Sequence, residues 1–203
     1  MMDDTKESMR MMIWDLMEME GISKSPNHGR IPDFIGSGGA ANLLKTTKEW
    51  ENAVTIFVSP DTAQRKVREN VISDEKILII ASPKLLNGYL LIDPSPIKGH
   101  EKEASTIKGA FKFGQKIDIF PNVDMVVEGS VAVDKYGGRL GKGGGYGDVE
   151  IEHLKKIHAI NSKTPIVSTV HKIQIVDNVP LQSHDQEINM VVTPEGVMRI
   201  IKR

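Results

Sequence analysis

Residues 54–81 constrain the fold more than any other stretch of this chain. Val54 to Val58 is a short apolar run closed by Pro60. Lys76 to Ala81 is a second, with Ile-Leu-Ile-Ile at its centre and Pro83 beyond it. Between them Thr62 to Ile72 carries a helical pattern that Asp61 or Thr62 can cap. Strand, helix and strand at this spacing make a βαβ unit, which implies a parallel sheet and a right-handed crossover. Val123 to Val127 is nearly continuously apolar, as buried parallel strands are. Gly129 and Ser130 interrupt it, and Val131 to Val133 is expected to continue it. Further strands are expected at Pro165 to Val170, at Val191 to Thr193 and, pairing back after a turn, at Val197 to Ile201. The expected class is α/β with a mainly parallel sheet. The 203 residues suffice for a single domain over 1–203 with a full core.

Thr5 to Glu20 reads as a helix. Met9, Met12, Ile13, Leu16 and Met17 recur at three- and four-residue spacing and predict its buried face, and Gly21 ends it. Lys6 and Arg10, four apart, project from one side. His28, Arg30 and Asp33 lie in a loop-like stretch, and Gly39 to Asn52 is expected to be one helix. Lys84 to Phe120 is expected to be irregular, with one short helix or strand, and its length suits a lid or a substrate-facing segment.

Charge is nearly balanced, at −1. Phosphate-backbone affinity needs clustered Lys and Arg, so the balance argues against nucleic acid as the main partner. With no cysteine, disulfides, thiolate catalysis and thiolate zinc sites are excluded. No apolar run approaches a membrane span and the N-terminal residues lack a signal-peptide core, so a cytoplasmic location is expected.

Val131 to Asp148 carries the chemistry. Seven glycines fall between Gly137 and Gly147, with Arg139 and Lys142 among them, between a strand and a helical pattern at Val149 to Ala159. Glycine lets a ligand approach backbone amides closely, and a helix N-terminus adds free N–H groups and partial positive charge. Phosphate binding is the predicted use. The P-loop pattern does not fit, because Tyr136 stands where its first glycine belongs and Gly143 follows Lys142. No G-x-G-x-x-G register exists either. Asp148, where the helix opens, is either an N-cap or a carboxylate that holds a cation against phosphate. Asparagine caps as well as aspartate, so in both roles Asp148→Asn is expected to leave the ligand-free protein's stability almost unchanged.

Arg139-Leu140-Gly141, then Gly143-Gly144-Gly145-Tyr146 and Asp148, with Asp134 upstream, resemble the signature of the 5-formyltetrahydrofolate cyclo-ligases. The resemblance implies a three-layer αβα sandwich related in outline to ribose-5-phosphate isomerases and CoA transferases. It also implies a reaction. The formyl oxygen of 5-formyltetrahydrofolate attacks the γ-phosphate of ATP, the neighbouring amine closes the ring, and phosphate leaves. Lys6 and Arg10 match the family's Lys-x-x-x-Arg pair for the nucleotide phosphates, and His184-Asp185 matches its metal-contacting His-Asp pair. The implied nucleotide site is Lys6, Arg10, Arg139, Gly141, Lys142, Gly143, Gly144, Gly145 and Tyr146. Arg139 and Lys142 would also act on the reacting phosphate, and Asp148 and Asp185 would hold Mg²⁺. The implied partners are ATP and a reduced folate or related pterin.

Three departures accompany the resemblance. The family's pterin-contacting glutamate falls at Ser59, unless Asp61 or Glu69 replaces it from a shifted register. Tyr146-Gly147-Asp148 lacks the second aromatic residue, and Val149 replaces the usual arginine. These look like the divergent branch of archaeal-type and methenyltetrahydrofolate synthetase domain-containing proteins. A cyclo-ligase for a modified pterin, or a nucleotide-binding module without ring-closing activity, is the alternative implied.

Overall fold

A computed structural model of the chain describes residues 2–200. The βαβ unit forms as its sequence dictates. Strand β1 (Thr55–Val58), helix α4 (Arg65–Ser73) and strand β2 (Ile77–Ala81) follow α1 (Met2–Met19), α2 (Ser37–Leu44) and α3 (Lys48–Asn52). β1 and β2 pair in parallel with Phe57 beside Ile79. Further on come β5 (Met125–Glu128), α7 (Tyr146–Lys156), β8 (Ile166–Thr169), β10 (Met190–Thr193) and β11 (Gly196–Arg199). The large sheet runs β11-β10-β8-β5-β1-β2-β3-β4, where β3 is Tyr89–Ile92 and β4 is Gln115–Ile117. Its five central strands are parallel, and β11, β3 and β4 pair antiparallel at the edges. The last strand pairs back as expected, although Ile201 lies outside the described residues.

Alternation along the strands creates two cores. Ile56, Val58, Leu78, Ile80, Met125 and Val127 face α1, α2 and α4, whose Ile13, Trp14, Ala41, Leu44, Val67 and Val71 cover that side. Phe57, Ile79, Val126 and Val191 face the other way, onto Ile151 and Leu154 of α7. The result is the three-layer αβα sandwich with a mainly parallel sheet.

Four expectations change. Val131 to Val133 does not continue β5. It becomes β6 (Ala132–Asp134) of a second sheet, pairing antiparallel with β7 (Arg139–Leu140) and parallel with β9 (Ile175–Val176). The break falls at Gly129, where a Cβ would come within 2.8 Å of Ile31 and 2.9 Å of Asp61, so only glycine permits the turn-away. The helix expected over Gly39 to Asn52 divides into α2 and α3, because Thr47 accepts the Trp50 N–H and starts a new helix. Lys84 to Phe120 is mostly regular, holding β3, β4, α5 (Glu101–Ala104) and α6 (Ile107–Phe113). It extends the sheet edge rather than forming a lid. Finally, the inward face of α1 is rotated from the expected one. Trp14 is buried and Met12 exposed, so the inward stripe runs Lys6, Arg10, Ile13, Trp14, Met17. The two cations lie on that stripe, not on a solvated edge.

Candidate functional site

The cleft begins at strand ends. β1 runs into Ser59, Pro60 and Asp61, β2 into Pro83 and Lys84, and β5 ends at Glu128. All but Ser59 line one cavity of ≈330 Å³. From β1 the chain builds the sheet outward through β2, and from the adjacent β5 it builds the opposite way through β8. Open α/β sheets place ligands at the carboxyl ends of strands where the order reverses. Arg30 and Asp33 also line this cavity. His28 instead pairs with Asp15, and Glu69 with Lys66. Of the substitutes weighed for the glutamate at Ser59, only Asp61 therefore reaches the cleft.

The glycine loop forms the cavity's second wall and separates it from a smaller one of ≈110 Å³. Lys6, Arg10, Asp185 and His184 line the smaller cavity, together with Arg139, Gly141, Gly145 and Asp148, which face both. The larger takes Lys142, Gly144 and Tyr146. The residues singled out in the sequence thus converge on one bipartite cleft. Among the described residues, no acceptor receives the backbone N–H groups from Gly141 to Asp148. Exposed donors at a helix start attract an anion.

Gly145, not Asp148, occupies the N-cap of α7, with φ of 69°. A Cβ there would meet nothing within 4 Å, so a side chain costs only backbone strain. Gly145→Ala is expected to lose about 1 kcal/mol and lower Tm by roughly 2–4 °C. Thermal denaturation checks it, and an unchanged Tm would mean the left-handed cap is not held.

Asp148 sits in the first turn of α7, and its Oδ1 accepts from Arg139 Nη2 at 2.7 Å and from the Gln186 N–H at 2.9 Å. Arg139 is 4% exposed, and its Nη1 donates to Gly129 O. Burial alone would pull the guanidinium down, but Asp148 and Glu128 beside it hold it above its usual value. Lys6, 6% exposed, donates to Asp185 at 2.5 Å and to Gln182. Burial works to raise Asp185, and the bonds from Lys6 and the Gln182 N–H outweigh it, leaving it below the usual range. Arg10 Nε donates to Gly141 O at 2.8 Å, tying α1 to the loop. Lys142 pairs with Asp61 at 2.7 Å. Asp61 is steadied from below, because the buried Arg68 donates to the carbonyls of Ser59 and Asp61.

Sequence reasoning missed Glu128 and Glu150. Both are buried and both line the larger cavity, and among the described residues no hydrogen-bond partner reaches Glu128 Oε1. The alternation of β5 and the reversal of strand order point to Glu128 once the sheet is drawn. Glu150 falls one turn after the loop. Burial raises both carboxyls above the ordinary range; at Glu128 repulsion from Glu150 and Asp61 adds to it against Arg139, and at Glu150 repulsion from Asp61 adds to it against Arg139 and Lys142. The native state therefore holds more protons than the unfolded chain just above the ordinary carboxyl range. Stability from this pair is complete at or below that range and is lost as pH rises through the raised values. Glu150→Gln is expected to gain in Tm relative to the parent as pH rises from about 5 to about 8. Parallel melting curves that keep a constant gap would remove the pair as the cause.

This is an α/β protein with an amide-lined, cation-bearing cleft at the reversal point of its sheet. The profile of the 5-formyltetrahydrofolate cyclo-ligase family matches residues 2–194. The chain belongs to that family. It is 36% identical over 204 residues to a methenyltetrahydrofolate synthase domain-containing protein of Mus musculus, covering 96% of this chain and 55% of that protein. The chain thus spans about half the length of that relative. The 5-formyltetrahydrofolate cyclo-ligase of Escherichia coli (strain K12) is 34% identical over 82 residues, 39% of this chain and 42% of the enzyme. The NMR structure of 5,10-methenyltetrahydrofolate synthetase from Aquifex aeolicus superposes with a TM-score of 0.60 at 21% identity, over 100% of this chain and 94% of that one. It shares the fold. Among the described residues no helix is long and apolar enough to cross a membrane.

Proposed function

We propose that this chain is an ATP- and Mg²⁺-dependent cyclo-ligase that converts 5-formyltetrahydrofolate, or a related reduced pterin, to its 5,10-methenyl form with release of ADP and phosphate. The observation that carries the reading is the run of acceptor-free amides from Gly141 to Asp148 ringed by Lys6, Arg10, Arg139 and Lys142. Such a cradle suits a triphosphate. The family membership supports the chemistry.

Asp148 and Asp185 fit a shared Mg²⁺. Each commits one oxygen to a cation and an N–H; among the described residues no hydrogen bond reaches Asp148 Oδ2 or Asp185 Oδ1, the latter lying 3.7 Å from His184 Nε2. Both residues line the smaller cavity. No group of three or more potential ligands occurs among the described residues, which suits an ion held by one or two carboxylates plus phosphate oxygens. Bound there, Mg²⁺ would neutralise charge on the phosphates. Lys142, exposed and, among the described residues, tethered only to Asp61, would swing to the reacting phosphate. Arg139, already paired and buried, would act on it chiefly by fixing the loop. The work is positioning and charge neutralisation, as in other phosphoryl transfers.

ATP hydrolysis with and without 5-formyltetrahydrofolate tests the reading. Turnover that depends on the folate is expected. ATP binding without such turnover would replace the ligase by a nucleotide-binding module.

A further inference from the structure

Asp61 forgoes a local bond and makes a distant one. It stands at the N-cap of a single turn of 3-10 helix, Thr62–Gln64, where an aspartate ordinarily accepts an N–H from the turn it opens. Its side chain makes no such bond. Oδ1 instead accepts from Lys142 Nζ at 2.7 Å, so the bridge joins the end of β1 to the glycine loop, the two walls of the larger cavity.

The two ends of this bridge are held differently. Buried Arg68 fixes the Asp61 end. Its Nη1 donates to Ser59 O at 2.6 Å and to Asp61 O at 2.9 Å, and its Nε donates to Ser105 O at 2.8 Å. Burial pulls that guanidinium down to about 10, and the three carbonyls replace the hydration it has lost. The Lys142 end is loose. Glycines flank it, Gly143 with φ of 105°, and its side chain is 40% exposed against 16% for Asp61. The side chains of Lys6, Arg10 and Arg139 are no more than 12% exposed. An anchored carboxylate and a mobile ammonium make a bridge that opens from one side. While it is closed, the carboxylate offsets most of the charge that Lys142 could offer a phosphate.

We infer that Asp61 is a positioning residue: it parks Lys142 across the larger cavity and yields it to the phosphates of a nucleotide, which must compete with Asp61 for it. The inference rests on the proposed reading in one respect, that the glycine loop takes nucleotide phosphates. When Lys142 leaves, Asp61 becomes an unpaired carboxylate facing the larger cavity. Occupation of the loop thereby sets the charge of the neighbouring cavity.

The test titrates four full-length proteins, the parent, Asp61→Asn, Lys142→Ala and the double variant, with ATP and Mg²⁺ and with adenosine. Calorimetry follows the tighter complexes and ligand-observed NMR the weaker ones. Asparagine keeps the size of aspartate and its cap position. Asp61→Asn is expected to bind ATP at least about threefold more tightly than the parent, because a partly exposed ion pair no longer competes. Adenosine affinity should not change, and Tm should stay within about 2 °C. In the Lys142→Ala background the same substitution is expected to change ATP affinity by less than about twofold. A carboxylate that merely repels phosphate would repel it with or without Lys142, and a merely structural one would move adenosine and Tm together with ATP. A smaller gain or a loss in Asp61→Asn, a gain of twofold or more that persists without Lys142, or an equal gain for adenosine would each overturn the inference. Failure of the parent to bind ATP sinks the nucleotide reading and the parking together. Normal ATP binding with no gain in Asp61→Asn sinks the parking alone, and absent folate-dependent turnover with the gain intact sinks only the ligase.

Discussion

Asp148→Asn is expected to destabilise the ligand-free protein by about 3 kcal/mol, a fall in Tm of roughly 6–12 °C. At an N-cap this exchange would be nearly silent, but Gly145 holds the cap and Asp148 neutralises a buried guanidinium. Removing one member of a buried pair leaves the other charged and unpaired, which is where the cost arises. Asparagine still accepts from the Gln186 N–H, so the loss isolates the charge. The double variant Arg139→Met, Asp148→Asn should recover part of it, because no buried charge remains. Thermal denaturation of the single and double variants decides the matter. A single variant that melts with the parent would show that Arg139 does not depend on Asp148.

The second large effect concerns the nucleotide. Lys142→Ala and Arg10→Ala are each expected to weaken ATP roughly ten- to a hundredfold, the equivalent of about 1.5–3 kcal/mol for a lost charge-assisted contact, while adenosine binding changes little. The two should differ in apo stability. Lys142 is exposed and, among the described residues, bound only to Asp61, so its loss should leave Tm unmoved. Arg10 holds the Gly141 carbonyl, so its loss should also loosen the loop. Calorimetric titrations with ATP and with adenosine compare them directly. Equal losses for both ligands would place these side chains away from the phosphates.

The central sheet was legible because buried parallel strands are short apolar runs rich in β-branched residues, and Ile-Leu-Ile-Ile closed by a proline and spaced one helix after Val54 to Val58 fits that description. The glycine loop was legible for a similar reason, since few folds have use for seven glycines in so short a span. What stayed hidden depends on distant partners. The inward face of α1 was misplaced because Trp14 and Lys6 lie on it, and the helical period could not show that Lys6 would find Asp185 at 2.5 Å. Asp148 offered a local role, the cap, and its actual partner Arg139 approaches only once β7 has paired with β6. Glu128 follows directly on the apolar run Val123 to Val127 and drew no reading of its own. Only the sheet order reveals that a cleft opens there.

The bond between Lys6 and Asp185 spans 179 residues of chain. A contact of such sequence separation forms late, because loop closure must precede its reward. During synthesis α1 leaves the ribosome before Asp185 and cannot complete its pocket until that residue has also emerged. Nucleotide capture would therefore report that translation has passed this point. A nascent chain stalled before it, however well its first strands had paired, would offer ATP only part of its cradle.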